Sequence, residues 1–310
     1  MRKVLISMLF AMLLPSLSGF EIAANKKANS LIVVAGNPSE FEKKAADELK
    51  CFLEKITGAE FSIVSEKEIG NKPAIYVGQT KFASSNNVDF AKADKEEWIF
   101  KTVGNNLIIS GGRPVGTLYG VYEFLEKQGV YFLTLDQTVI PSKNKLTLPE
   151  LNEVNKPCFA GRNIYDKVLT ALMVGKVPDK IAQDYWLHRL RARQNGGHHG
   201  PKRKDIPEVL YLGDIFNLTI FSHSLCQYVN PNKYFATHPE YFGMNAKGER
   251  IKPRQLDKHG SLCMSNKEVW AITLDSLRTF IKRDHAALPK EEWPTIYDIS
   301  ILDDTPYICF

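Results

Sequence analysis

Apolar residues fall into short runs in the first half of the chain, and into runs alternating with helical stripes in the second. Leu31-Ile32-Val33-Val34-Ala35 is an uninterrupted run of the length of one buried strand. Phe41, Ala45, Leu49, Phe52 and Ile56 then recur every three to four residues and predict one apolar helix face. Asn37 is the expected N-cap, with Pro38 in the first position, Glu40 three residues after the cap and Gly58 at the end. Residues 61–64, 74–77, 98–103 and 107–110 read as strands. The last two are joined through Gly104-Asn105-Asn106, residue types that tolerate the positive φ of a hairpin turn. A second helix is expected from about Pro114 to Lys127, with Leu118, Val121, Tyr122 and Leu125 inward, and a final strand over 130–133. The order predicts one mixed sheet with two helices, a small α+β domain over 25–150. The polar, proline-containing stretch 140–157 reads as a linker.

From Pro157 the pattern changes. Residues 159–165, 218–222 and 295–302 read as strands. A helix is expected over 179–194, with Ile181, Tyr185 and Leu190 at helical spacing. Another is opened by Ser265-Asn266-Lys267-Glu268 and runs to about Arg283, with Val269, Ile272, Leu277 and Phe280 inward. Strand–helix alternation of this kind predicts a parallel α/β architecture over 157–310.

The N-terminus adds a location. Arg2-Lys3, an apolar run over 4–14, Pro15 and Ser16-Leu17-Ser18 follow the grammar of a secretory signal peptide cleaved after Ser18. The run is shorter than the roughly 20 apolar residues of a membrane span. A secreted or periplasmic protein with no stable membrane span is expected. Lys and Arg number 40 against 35 Asp and Glu, a net charge of +5. Basic residues this dispersed give no concentrated face for nucleic acid. Five widely spaced cysteines, 51, 158, 226, 263 and 309, show neither a zinc spacing nor an assignable disulfide framework.

Candidate chemistry lies in three neighbourhoods. Arg162 and Asp166 share a face of the strand expected at 159–165, where a guanidinium and a carboxylate can grip vicinal hydroxyls or simply pair with each other. His198 and His199 lie in a glycine-flanked loop, and His223 directly follows the strand expected at 218–222. These imidazoles suit sugar hydroxyls, and no carboxylate set completes a metal site around them. Asp303 and Asp304 end the last strand, with Asp304 on the polar face with Asp298 and Ser300. Glycoside hydrolysis uses two carboxyl groups flanking the scissile bond. Adjacent aspartates on one strand diverge, so a partner for Asp304 must come from elsewhere.

With these residues in view, the segment from about Leu31 to Pro141 resembles the N-terminal domain of α-glucuronidases and hexosaminidases. The likeness rests on Ala45-Ala46-Asp47-Glu48-Leu49, Ile56-Thr57-Gly58, Ile75-Tyr76-Val77-Gly78 and the helix Gly116-Thr117-Leu118-Tyr119-Gly120-Val121-Tyr122. Pro157-Cys158-Phe159-Ala160-Gly161-Arg162 is similar to the entry into their catalytic barrel, whose first-strand arginine holds sugar hydroxyls. The later segment is similar to the bacterial family called domain of unknown function 4838, through Phe221-Ser222-His223-Ser224, His238-Pro239-Glu240-Tyr241-Phe242, Leu262-Cys263-Met264-Ser265-Asn266, and Asp303-Asp304 with Tyr307 and Cys309. That family carries Gln-Asn-Asp where this chain has Leu302-Asp303-Asp304.

The resemblance implies a (β/α)8 TIM barrel whose first half occupies 157–310, reaching about its fourth strand. It also implies a glycoside hydrolase-like protein that needs no cofactor. Its expected partner is an oligosaccharide or polysaccharide, with hydrolysis of O-glycosyl bonds in glycans containing uronic acid or N-acetylhexosamine. Asp304 and Asp303 are then the catalytic candidates, and Arg162, Asp166, His223 and His199 the substrate binders. A non-catalytic carbohydrate-binding protein, or an inactive fragment of such an enzyme, is the alternative.

Overall fold

The computed structural model describes residues 20–162, 164, 171, 177–195, 224–253, 261–290, 293, 294 and 296–301. Its contacts cluster into two compact units, Met1–Cys158 and Phe159–Phe310. The whole is a mixed α/β protein.

The first unit contains β1 (Phe20–Ala24), β2 (Lys27–Ala28), β3 (Leu31–Val34), α1 (Glu40–Thr57), β4 (Ile63–Ser65), β5 (Ala74–Val77), α2 (Lys81–Ser85), β6 (Trp98–Val103) and β7 (Asn106–Gly111). These are followed by α3 (Gly116–Lys127), β8 (Tyr131–Phe132), β9 (Thr138–Val139), β10 (Lys145–Leu148) and β11 (Asn152–Asn155). Six strands form one sheet in the order β11-β6-β7-β5-β3-β4. β3 runs parallel to β4 and β5, and β5 parallel to β7, while β6 is antiparallel to both β7 and β11. All four residues of β5 are buried, which is why its sequence is a continuous apolar run rather than an alternation. α1 and α3 pack on each other and on the sheet. A separate cluster joins Val33, Tyr76, Ile108, Ala83 and Val88, with the Phe82 ring stacked on Tyr76 at 4.0 Å between centroids.

Two expectations for this unit need correction. α1 is capped by Ser39, not Asn37: the Ser39 hydroxyl accepts from the Glu42 amide at 3.2 Å, and the Glu42 carboxylate accepts from the Ser39 amide at 2.7 Å. Ser39 and Glu42 thus complete the reciprocal pair, and Pro38 precedes the cap instead of following it. The stretch expected to be a linker contains two strands. β10 alternates exposed Lys145 and Thr147 with buried Leu146 and Leu148 and pairs antiparallel with β1, itself unanticipated; β11 pairs with β6.

The glycine pattern at α3 has a packing cause. A Cβ on Gly116 would lie 2.2 Å from the Glu97 carbonyl oxygen, and one on Gly120 would lie 2.9 Å from the Trp98 Cβ. The helix can approach β6 this closely only without side chains there, while Leu118, Val121, Tyr122 and Leu125 are fully buried as expected.

The second unit contains α4 (Asp179–Arg191), α5 (Leu225–Tyr228), α6 (Pro231–Tyr234), a 3-10 turn at Pro239–Tyr241 and α7 (Lys267–Ala287). Leu225, Cys226, Val229, Tyr241, Phe242, Leu262 and Val269 form its buried cluster. α7 is capped by Asn266, whose side chain accepts from the Glu268 amide at 2.9 Å. Residues 159–162 are not a strand; their polar groups are taken up by a side chain from beyond α4. Residues 297–301 are also not a strand, and Ile299 and Ile301 are exposed. The strand expected at 218–222 lies outside the described residues. Among the described residues, no helix is long and apolar enough to cross a membrane.

Candidate functional site

Arg162 is the sequence-predicted site residue that the described structure contains. Asp166, His199, His223, Asp303 and Asp304 lie outside the described residues. Arg162 meets the end of α4, where the chain reverses through Arg193 at φ 53° and the Gln194 amide returns to the Arg189 carbonyl at 2.9 Å. That turn buries Asn195 almost completely. Its Oδ1 accepts from the Arg162 amide at 2.8 Å, its Nδ2 donates to the Ala160 carbonyl at 2.7 Å, and its amide donates to the Arg162 carbonyl at 3.0 Å. The Arg162 guanidinium donates through Nε to the Arg193 carbonyl and through Nη1 to the Phe159 carbonyl, both at 2.6 Å. Two charge-assisted bonds at this distance fix the plane of the fork. Buried Arg189 holds the same helix end by lying over the Trp186 and Tyr185 rings at 5.2 and 5.8 Å.

A second junction is built on Ser224. Its hydroxyl donates to the Asp298 carbonyl at 2.8 Å and accepts from the Ser300 amide at 2.9 Å, while the Leu225 amide donates to the Ser300 carbonyl at 3.1 Å. Tyr228 adds a bond from its hydroxyl to the Asp298 carbonyl at 2.8 Å. Burial, with Asp298 adding to it, pushes the Tyr228 phenol above its ordinary pKa and keeps it a donor. One serine hydroxyl therefore satisfies both a carbonyl and an amide of the segment 298–300.

The two junctions anchor segments that lead into the remaining candidates: 162 towards Asp166, 195 towards His199, 224 directly after His223, and 300 towards Asp303 and Asp304. Asn195 was not singled out from the sequence, and Ser224 stood there only within the motif Phe221-Ser222-His223-Ser224. Their partners lie 33 and more residues away, so no local pattern marks these roles. Next to the second junction, Tyr228, Tyr234, Phe280, Lys233 and Asp275 line an open groove of about 540 Å³.

A family model described as "Domain of unknown function (DUF4838)" matches residues 132–309, more than half of the chain. The chain belongs to this family. A second model, described as the glycosyl hydrolase family 67 N-terminus, matches residues 18–124 of this DUF4838 protein. No curated protein matches it. Among solved structures, it is similar to a family GH115 4-O-methyl-α-glucuronidase with specificity for decorated arabinogalactans. That match has 14% identity and a TM-score of 0.51 over 85% of this chain and 42% of the other. A Streptomyces plicatus N-acetyl-β-hexosaminidase matches at 12% identity and a TM-score of 0.34, over 84% of this chain and 53% of the other. The DUF4838 chain thus has a glycoside-hydrolase-like fold and spans about two fifths to one half of the length of these relatives.

Proposed function

We propose that this DUF4838 chain is an exported carbohydrate-active protein that hydrolyses O-glycosyl bonds in glycans containing uronic acid or N-acetylhexosamine. The observation that carries the proposal is the fold shared with the GH115 glucuronidase over 85% of the chain. The match of residues 18–124 to the family 67 N-terminus supports it. In this reading, 157–310 is a variant of the first half of a (β/α)8 barrel in which 159–162 and 297–301 are not strands; in such barrels the catalytic groups sit at the carboxyl ends of the strands. Asp304 is the acid and Asp303 its neighbour. Arg162, Asp166, His199 and His223 hold sugar hydroxyls or a substrate carboxylate. The fixed plane of the Arg162 fork suits that task, because a pre-oriented guanidinium loses little freedom when it binds. Two carboxyl groups are needed, and Asp303 does not serve as the second, which comes from another segment.

The test is turnover of a panel of aryl glycosides and uronosides by the full-length gene product, alongside Asp304→Asn and Arg162→Ala. Turnover that falls at least 100-fold in Asp304→Asn, with a raised KM in Arg162→Ala, supports the assignment. Oligosaccharide binding in calorimetry without turnover of any substrate would instead favour a non-catalytic binding protein. Unchanged turnover in both variants would remove these residues from the site.

A further inference from the structure

We propose that His238, Glu240 and Glu268 form a binding site for a divalent transition metal of the zinc type. Two sequence motifs not used by the glycosidase reading, His238-Pro239-Glu240-Tyr241-Phe242 and Leu262-Cys263-Met264-Ser265-Asn266, are brought side by side. Phe242 and Leu262 form an antiparallel bridge, the Cys263 amide donates to the Tyr241 carbonyl at 2.7 Å, and the Gly243 amide donates to the Ser261 carbonyl at 2.8 Å. This zipper sets the first turn of α7 against the 3-10 turn. One ligand atom from each of the three side chains then lies within 4.8 Å of the other two.

Tyr241 holds two of the three ligands, His238 and Glu268. The His238 ring stacks on Tyr241 at 4.6 Å with 6° between planes. Tyr241, almost fully buried, donates its hydroxyl to Glu268 Oε2 at 2.5 Å. Such supporting hydrogen bonds orient metal ligands and fix their basicity. His238 Nδ1 is hydrogen-bonded to Glu240 Oε1 at 2.9 Å; a bound cation replaces that bond and widens the pair to the roughly 3.4 Å between ligands of a tetrahedral zinc with bonds of about 2.1 Å. One imidazole with two carboxylates suits zinc and its neighbours better than calcium, which takes oxygen ligands only. Water would complete the coordination.

The reading is tested on the full chain with Zn²⁺ alone, titrated against a chromophoric chelator after the cysteines are alkylated. His238→Ala, Glu268→Gln and a His198→Ala/His199→Ala control are carried in parallel, with folding checked by circular dichroism. The site predicts one zinc equivalent, with affinity falling at least tenfold in His238→Ala and in Glu268→Gln but unchanged in the control. Co²⁺ should give a weak d–d band in the wild type that His238→Ala loses. Zinc binding of wild-type strength in both folded site variants, or binding abolished by the control, would overturn the proposal. So would no zinc binding by the wild type.

Discussion

At the scale of single residues, the most exacting environment in the first unit belongs to Glu42, 1% exposed. Its carboxylate accepts from the Ser39 amide, from the Gln79 amide at 2.9 Å and from Arg113 Nη2 at 2.9 Å. It thus ties the start of α1 to the segments following β5 and β7, at the carboxyl ends of three parallel strands. Open α/β sheets bind ligands in this crevice; here the Glu42 carboxylate pairs with Arg113 in it. Glu42→Ala removes the acceptor of the part-buried Ser39 and Gln79 amides and the partner of half-exposed Arg113, and should cost about 2 kcal/mol in urea unfolding. A loss below about 1 kcal/mol would mean that water replaces the carboxylate. The cysteines allow a chemical check on the second unit. Among the described residues Cys51, Cys158, Cys226 and Cys263 are free thiols. Burial pushes the Cys226 thiol up to about 11, whereas Cys158 is exposed. A group with a raised folded pKa contributes its stability in full below the unfolded value and loses it as pH rises through about 11. At pH 8 Cys226 therefore stays a protonated, inaccessible thiol. Iodoacetamide followed by peptide mass spectrometry should label Cys158 at least tenfold faster, and equal rates would contradict the burial of Cys226.

At the scale of elements, what could be read from the sequence depended on how local the determining contacts are. The hairpin of β6 and β7 was legible because turn residues and flanking strands adjoin, and the register Trp98 to Gly111 through Val103 to Asn106 closes over a short loop. β10 was missed because Lys145-Leu146-Thr147-Leu148 is two apolar residues in a polar setting. Its partner, β1, lies more than 100 residues earlier. The site divides the same way. Arg162 stood out as a charged residue on an expected strand, but its immobilisation depends on Asn195, whose side chain is decisive only once α4 has brought it back. The Gly116–Gly120 spacing was legible as a motif, yet its causes lie elsewhere in the chain: the Glu97 carbonyl against Gly116 and the Trp98 side chain against Gly120. Gly116→Ala should therefore destabilise the protein by about 2 kcal/mol or more, since the carbonyl it meets belongs to the backbone and cannot rotate away. Gly36→Ala is the matched control: no atom lies within 4 Å of the added methyl, and chain-entropy loss in the unfolded state makes it neutral or slightly stabilising. Equal costs for the two substitutions in thermal melts would refute the close-approach explanation.

At the scale of the whole molecule, the division into Met1–Cys158 and Phe159–Phe310 has a thermodynamic consequence, because each unit has its own buried cluster. Glu42 and Asn195 make the pivotal polar contacts of separate units. Asn195→Ala removes the acceptor for the Arg162 amide and the donor to the Ala160 carbonyl, two part-buried bonds worth about 1–2 kcal/mol together. If each unit unfolds around its own core, calorimetry of the full chain should show two transitions. Glu42→Ala should then lower one by several degrees, Asn195→Ala the other, and the double variant both by the sum of the single effects. The assignment can be checked independently of the heat signal. Iodoacetamide labelling of Cys226 during the scan should follow the transition that Asn195→Ala shifts, since both residues lie in the second unit. A single transition displaced by either substitution would show that the chain unfolds as one cooperative body. The candidate glycan site would then draw its rigidity from both units rather than from the second alone.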